Sequence, residues 1–370
     1  GSTIGGGNGL PPLPPNVVAA VGDFSVRGGF SGTTGSSPLP ANGDQMSSPF
    51  DGLTMSMSNL LSTDRPQGGG PIDLGSFVSV LIQVFWHLEP FRASLCRIVT
   101  SNDVVLNSLQ SLLSALGDNR GVANSAMLRS HLPQAFNDPS GRFQLNRATE
   151  TSEAFEMLLT SLADSADQRL VAVIEQHFSL SIMEMCECVC METLEPMSYK
   201  QPCAFVSVPQ LLMAQPGGMA LNGGPAPGSM TAQLSSLAGP GCPTANCSAR
   251  MQIARYLMSP SPVYLTVALA WEDTVFNPAE TPGLLQRVEL QLELQRAFRG
   301  VSQPTVAYLK TVIGQKDDKF SACCLNGGAW HWFDDVTQAV IGEDWGSVIN
   351  KLATTRAQPL LLIYQIGHHS

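Results

Sequence analysis

The chain has 370 residues, and 44% of them are hydrophobic, which is enough for one large domain or two ordinary ones. Its formal charge of −10 argues against nucleic acid as the main partner, because no basic stripe is present to release phosphate counterions. The nine cysteines are an odd number, and three of them lie almost next to one another in the sequence, at Cys186, Cys188 and Cys190. This pattern indicates reduced thiols or a metal site in an intracellular protein, cytoplasmic or nuclear, and excludes a secreted disulfide framework.

Residues 1–70 are rich in Gly, Pro, Ser and Asn and carry few bulky apolar side chains. Such a segment cannot bury enough apolar surface to offset its chain entropy, so we expect a disordered leader. Its PPLPPN run either docks on a partner as a polyproline II helix or serves as a solvated linker.

The chain starts with GST, without Met, so we expect a piece of a longer protein. No signal peptide or membrane-length apolar run is recognisable, and we expect no membrane contact.

Helical patterns dominate the chain from Ile72 to about residue 165. The stretch 77–88 is apolar nearly all round, which is typical of a buried helix. Three further helices are predicted from apolar spacing, the first of them ended by Gly117. They cover 108–117, 125–136 and 151–165.

Strand patterns dominate the second half. Residues 176–190 alternate apolar and polar, which predicts a strand, and the low-complexity stretch 214–241 predicts a long inserted loop. One helix is predicted at 345–353. Six strands are predicted at 251–259, 262–271, 306–315, 320–326, 330–335 and 359–367. A helical lobe followed by an antiparallel sheet lobe is an α+β architecture, and it suits a cleft between the lobes.

Recognisable motifs occur in order along the chain, at Gln83, Trp86, His87, Leu88, Phe91 and Arg92, and in 142–159, 176–190, 241–247, 329–340 and 358–365. Taken together, these stretches resemble the sequence boxes of the ubiquitin-specific protease family, which has a papain-like fold. The similarity covers roughly 71–367, and we assign 71–368 to one such domain, with 214–241 inserted in its fingers. The resemblance implies a helical thumb-like lobe, an antiparallel-sheet palm and reduced fingers. It is closest to the branch that has a WHL-F-R segment after the nucleophile helix.

The same resemblance locates the three catalytic positions of the family. The nucleophilic Cys corresponds to Ser76, the general-base His to Lys319, and the third triad residue to Asp334. The family's oxyanion-donating Asn, which precedes the nucleophile, is also absent from residues 71–75. Thiolate attack needs a Cys, a base and an oriented base, so we expect a degenerate, non-functional triad.

Two alternatives keep an active site. A Ser76–Lys319 dyad would need a desolvated, neutral lysine, which the acidic neighbours of Lys319 disfavour. An active deubiquitinating cysteine peptidase would require that a Cys-to-Ser change had been introduced at position 76, and that the true base lies elsewhere. That alternative needs a histidine at the start of the strand before WHWFDD, and none of the six histidines lies there.

The family's fingers hold zinc between two cysteine pairs, and here both pairs depart from the usual spacing of two intervening residues. The second pair is Cys242 and Cys247. The first is Cys188 with Cys190, or Cys186 with Cys190. We name Cys188, Cys190, Cys242 and Cys247 as the candidate zinc ligands, and a metal-free finger as the alternative.

These observations predict an inactive ubiquitin-specific-protease-like domain, a pseudo-deubiquitinase. Its expected role is to bind ubiquitin, a ubiquitin-like protein or another protein, without nucleic acid or membrane. A purely architectural domain in a larger assembly is a third hypothesis, whose binding surface would lie far from the cleft.

Overall fold

The computed structural model describes most of the chain from Leu74 to His368. The described residues are 74–98, 104–117, 155–156, 158–160, 162, 167–214, 225–244, 246–258, 261–272, 274–317, 319–334 and 337–368. All of them lie in the second of two units into which the chain divides, Leu53–Ser370. The predicted leader at 1–70 and the predicted helix at 125–136 lie outside the described residues.

Four helices of the described part of the chain contribute to the first layer. They are α1 (Leu74–His87), α2 (Glu89–Cys96), α3 (Val104–Gly117) and α4 (Gln168–Phe178). Pro90 occupies the first turn of α2, where its missing N–H costs nothing, and the Asp167 side chain accepts from the backbone N–H of Arg169 to cap α4. None of the described helices is long and apolar enough to cross a membrane.

A small sheet and its connections follow. In chain order they are β1 (Leu180–Glu187), β2 (Met197–Gln201), β3 (Ala204–Ser207), α5 (Val208–Met213), α6 (Met230–Ser235), β4 (Ser236–Gly241) and β5 (Arg250–Leu257). Four of these strands pair antiparallel in the order β2–β1–β5–β4. This sheet occupies the place of the predicted fingers.

The remaining elements build the large sheet. They are β6 (Tyr264–Ala270), a 3₁₀ turn (Pro278–Glu280), α7 (Thr281–Leu285), β7 (Gln291–Glu293), α8 (Leu294–Ala297), β8 (Thr305–Lys316), β9 (Lys319–Asn326), β10 (Ala329–Phe333), β11 (Gln338–Gly342), α9 (Trp345–Thr355) and β12 (Gln358–His368). The strand order is β11–β10–β9–β8–β12–β6–β3, with β7 beside β8. The predicted α+β architecture is confirmed, although β3 joins β6 in parallel rather than antiparallel.

The large sheet is buried on both faces. Phe320, Ala322 and Cys324 of β9 pack into a core formed with helices α1 to α4. Cys323 of the same strand points to the opposite face, into a second core that includes α6, α7, α8 and α9. Adjacent strand residues face opposite ways, so two fully buried neighbouring cysteines require cover on both sides. The helical layer is therefore a structural necessity for this sheet.

Two predicted elements need correction. The predicted strand at 176–190 begins only at Leu180, because residues 176–178 complete α4, whose Leu170, Ile174 and Phe178 recur at helical spacing and are buried. The predicted loop at 214–241 is structured in its second half. Met230 and Leu234 are buried in the second core, so 230–235 folds as a helix, and 236–241 pairs with β5.

A buried ion pair lies in the fingers sheet. Arg255 on β5 stands directly opposite Glu184 on β1, and its Nε donates to Glu184 Oε1 at 2.9 Å. The Tyr199 hydroxyl donates to the same oxygen at 2.7 Å. The Arg255 side chain is 1% exposed, and its Nη1 and Nη2 are buried without a hydrogen-bond partner among the described residues. Glu184 is therefore the anion that makes this burial tolerable.

We predict that Glu184→Ala lowers the free energy of unfolding by about 3–5 kcal/mol, because it leaves a buried guanidinium uncompensated. Urea denaturation measures this loss. The matched control is Glu175→Ala, which breaks the exposed Lys200–Glu175 pair and is expected to cost less than about 1 kcal/mol. Equal costs for the two variants would contradict the assignment. Glu184→Leu combined with Arg255→Met is expected to recover most of the loss.

Candidate functional site

Ser76 lies in the first turn of α1 and is tied to β9. Its Oγ accepts a hydrogen bond from the backbone N–H of Phe320 at 2.9 Å, and the residue is 2% exposed. The neighbouring Phe77 ring packs edge-on against the Phe320 ring, with centroids 5.1 Å apart. The hydroxyl at the predicted nucleophile position is thus a buried acceptor in the seam between helix and strand.

Lys319, at the predicted base position, is the first residue of β9 and is exposed. It stands opposite Lys316 across the β8–β9 hairpin. A Ser–Lys dyad needs a desolvated amine, and exposure keeps this amine in contact with water. The position next to Phe320 is therefore occupied by a hydrated lysine.

Asp334 follows the last residue of β10 and is half-buried. Phe333 pairs with Ala322, so Asp334 lies at the same end of the sheet as the start of β9. Its Oδ2 accepts from Trp332 Nε1 at 3.1 Å, and its Oδ1 accepts from the backbone N–H of Thr337 at 2.6 Å. The carboxylate is used to hold the turn after β10. The structure thus brings the three predicted segments to one end of the sheet, as the family resemblance implies.

Three histidine side chains are described, and each packs away from Ser76. His87 ends α1, eleven residues after Ser76, which is about 16 Å along a helix axis. Its ring stacks on that of His331 at 5.8 Å and is tilted against that of Phe333 at 4.7 Å. Burial lowers the pKa of His87 to about 4, with smaller contributions from His331 and Arg92. His177 Nδ1 lies 2.8 Å from the carbonyl oxygen of Val173. None of these three imidazoles can take a proton from Ser76.

A second site lies at one end of the fingers sheet. The Sγ atoms of Cys188, Cys190, Cys242 and Cys247 all lie within 4.8 Å of one another, and among the described residues they form the one group of three or more potential metal ligands. The loop after β1 and the loop between β4 and β5 emerge together, because Glu187 pairs with Gln252 and Gly241 with Arg250. These are the four cysteines predicted from the sequence as zinc ligands. Cys186 stays in the strand ladder opposite Ile253.

The four thiols have the composition and spacing of a tetrahedral zinc site. Tetrahedral ligands at a Zn–S distance of about 2.3 Å are about 3.8 Å apart, close to the observed 3.6 Å for Cys188–Cys247 and 3.4 Å for Cys190–Cys242. The backbone N–H of Glu192 and the neighbouring thiols lower the pKa of Cys190 to about 6. The backbone N–H of Cys190 lowers the pKa of Cys188, but burial and the other three thiols raise it overall, to about 12. Four thiolates this close repel one another, and a bound dication would supply the positive charge that offsets this repulsion.

Comparison with known proteins gives relatives in one family. No protein-family profile matches the chain. It is 26% identical to the rat protein named ubiquitin carboxyl-terminal hydrolase 54 over 86% of this chain, and 26% identical to its mouse counterpart over 91%. It is 25% identical to human ubiquitin carboxyl-terminal hydrolase 53 over 78%. The chain spans 21%, 22% and 29% of those three proteins, respectively.

Solved structures give the same answer for the fold. A SAGA DUB module, in which Ubp8 with Sgf11, Sus1 and Sgf73 is bound to monoubiquitin, matches with a TM-score of 0.51 and 12% identity. The match covers 86% of this chain and 75% of that one. A second SAGA DUB module structure with Ubp8 matches with the same TM-score and 11% identity over 87% of this chain. The chain is a relative of the ubiquitin-specific proteases. Its fold is the papain-like α+β fold of that family.

The sequence predicted Ser76, Lys319 and Asp334 as the triad positions and four cysteines as metal ligands, and the structure places the four thiols together. The sequence left open whether Cys186 or Cys188 joined the cluster, because the end of β1 is not marked by a turn residue. It did not reveal the backbone N–H of Phe320 as the partner of Ser76. A main-chain donor leaves no signature in the sequence, so only the packing of α1 on β9 identifies it.

We predict that Ser76→Ala destabilises the domain by about 1–3 kcal/mol, because it leaves the buried N–H of Phe320 without an acceptor. Chemical denaturation measures the difference. Ser111→Ala, on the exposed side of α3, is the matched control and is expected to change stability by less than about 0.5 kcal/mol. Indistinguishable effects of the two substitutions would mean that the Ser76 hydrogen bond does not hold the seam.

Proposed function

We propose that this chain is a catalytically inactive ubiquitin-specific-protease-like domain that works as a protein-binding module, with ubiquitin or a ubiquitin-like protein as the expected ligand. The observation that carries the proposal is the hydrogen bond from the Phe320 N–H to the Ser76 Oγ. An attacking group must be exposed to its substrate and paired with a base. Ser76 is buried, and it serves as an acceptor for the main chain.

The surroundings of Ser76 support the same conclusion. A serine hydroxyl attacks only when a neighbouring base removes its proton, and the described imidazoles lie elsewhere. Lys319 is exposed, and Asp334 is held by Trp332 and Thr337. The alternative of an active peptidase with an introduced serine is less favoured, since none of the three described imidazoles lies beside position 76.

Retention of the fold supports a binding role. The solved neighbour carries monoubiquitin on the same fold, and the curated relatives are named as ubiquitin hydrolases. The fingers sheet and the helical layer are both present in this chain. The scaffold is present, and the side chain at the nucleophile position has a structural role. This combination fits a domain that recognises a protein without cleaving it. This role and an intracellular location are proposals for this chain alone, which spans about a fifth of its first relatives.

We also propose that Cys188, Cys190, Cys242 and Cys247 bind one structural zinc ion. When bound, the ion would supply the positive charge that holds four thiolates together. The two loops are further joined by the Thr244 hydroxyl, which donates to Glu192 at 3.2 Å. All four ligand positions are filled by protein, so the site has no open position for catalysis.

The test of function combines binding and turnover. We expect labelled ubiquitin to bind the purified chain saturably, with a dissociation constant on the order of micromolar, typical of a weak recognition module. A fluorogenic ubiquitin substrate is expected to stay uncleaved by the chain and by its Ser76→Cys variant, because no imidazole among the described side chains lies beside position 76. An active ubiquitin-specific protease serves as the positive control for the substrate.

The outcomes separate the hypotheses. Cleavage by the unmodified chain would overturn the assignment as an inactive domain. Binding without cleavage supports it as written. Absence of binding at near-millimolar ubiquitin would remove ubiquitin as the ligand and favour the architectural role, with a partner on another face.

We predict one zinc ion per chain, measured by elemental analysis of protein purified without chelator. Cys190→Ser is expected to weaken zinc retention at least tenfold, since it removes one of four ligands. Cys96→Ser is the matched control, because Cys96 is exposed and lies outside the cluster. Stoichiometric zinc in Cys190→Ser would show that the ion is held elsewhere.

A further inference from the structure

The four thiols of the fingers are arranged in two close pairs, and each pair joins the two loops. Cys188 Sγ lies 3.6 Å from Cys247 Sγ, and Cys190 Sγ lies 3.4 Å from Cys242 Sγ. We propose that this cluster is a site of oxidative modification, in which two inter-loop disulfides, Cys188–Cys247 and Cys190–Cys242, form when the metal ion is lost. The proposal rests on thiol geometry and does not require the binding role proposed above.

The loop backbones favour pairing between loops over pairing within them. The turn after β1 is closed by the Cys188 N–H, which donates to the Glu192 carbonyl at 2.9 Å, and by the Met191 N–H, which donates to the Cys188 carbonyl at 2.9 Å. Met191 holds a positive φ of 69° to make this turn. The side chain of Val189, between the two cysteines, points into solvent and is 84% exposed. Both thiols of this turn are therefore directed at the opposite loop.

The two thiol pairs differ in solvent exposure, and this difference sets the order in which they are oxidised. Cys190 is exposed, Cys242 and Cys247 are half-buried, and Cys188 is buried. A hydroperoxide therefore reaches Cys190 first. Cys242 is near enough to respond at once, because its sulfur must move only from 3.4 Å to the disulfide length of about 2.05 Å.

The chemistry balances with one hydroperoxide for each pair. The Cys190 thiolate attacks the O–O bond of hydrogen peroxide, so that the sulfur becomes a sulfenic acid and the other oxygen leaves as water after protonation. The Cys242 sulfur then displaces the hydroxyl from Cys190, which leaves as a second water. Each pair of thiols loses two electrons and two protons, and hydrogen peroxide is reduced to two waters. Cys188 and Cys247 repeat the sequence once zinc, whose oxidation state does not change, has lost its ligands.

The consequence is that the two loops at the end of the fingers sheet are held together in both redox states. With reduced thiols the loops are joined through the cation, and after oxidation the same loops are joined by covalent bonds between the same sulfurs. The β1–β5 and β4–β5 ladders that deliver the loops need not change register. The end of the fingers sheet would then keep the same structure in either redox state.

The experiment uses the full chain, reduced and loaded with zinc, and titrates it with hydrogen peroxide. Released zinc is read with a colorimetric chelator, free thiols by a thiol reagent, and linkages by peptide mapping under non-reducing conditions. We expect loss of four of the nine thiols, release of zinc in step with that loss, and linkages 188–247 and 190–242. Reduction and added zinc are expected to restore the starting state.

Variants separate the cluster from other thiols. Cys96→Ser removes an exposed thiol outside the cluster and is expected to leave the map unchanged. Cys190→Ser is expected to leave only the 188–247 linkage, and if it does not fold, the map of the unmodified chain decides alone. Linkages within a loop, over-oxidation of Cys190 without a crosslink, or dimers through Cys96 with an intact cluster would each overturn the proposal. A chain without zinc is mapped in the same way, so the test stands apart from metal binding.

Discussion

The central constraint on this fold is that its large sheet is buried on both faces. Strand β9 shows this most directly, because Cys323 and Cys324 are adjacent, point to opposite faces and are both fully buried. A strand with water on one face would alternate apolar and polar residues, whereas β9 is buried from Phe320 to Cys324. Two separate layers must therefore cover the sheet. Helices α1 to α4 cover one face, and α6 to α9 with the base of the fingers cover the other.

This constraint gives the predicted nucleophile helix a structural role that does not depend on catalysis. Helix α1 is needed as cover, since Phe77, Leu81 and Phe85 are almost completely buried in the first core. Its first turn must then meet the start of β9, and some side chain at position 76 must satisfy the buried N–H of Phe320. Serine does this well, because a hydroxyl oxygen is a better acceptor than sulfur. The position has a structural duty that does not depend on any reaction.

The sequence predicted the strands of the large sheet well and the short elements poorly. β8, β9 and β12 are 12, 8 and 11 residues long and contain apolar runs such as 360–364, so their patterns are strong. Helix α4 was missed because its last residues, 176–178, run into the alternating pattern of β1, although the Asp167 cap and the spacing of Leu170, Ile174 and Phe178 marked it. Helix α6 was hidden in a Gly- and Pro-rich stretch, and only burial of Met230 and Leu234 against distant residues makes it helical.

The candidate sites show the same division. Side chains could be assigned from motif order, and the structure brings Ser76, Lys319 and Asp334 to one end of the sheet. The hydrogen bond that defines the role of Ser76 could not be read, because its donor is a main-chain group whose position depends on how α1 packs on β9. The sequence predicted which cysteines form the thiol cluster, but not which sulfur atoms lie next to each other.

The fingers make clear why the spacing of cysteines in the sequence was a poor guide to the thiol cluster. A site built on one hairpin needs a set number of residues between its ligands, but here two different loops each supply two thiols. What matters is that β5 pairs with both β1 and β4, so that the loops beyond Glu187 and Gly241 emerge side by side. One intervening residue in the first loop and four in the second can then converge on one point, since each loop adjusts by its own turn. The strained φ of Met191 is where the shorter loop makes that adjustment.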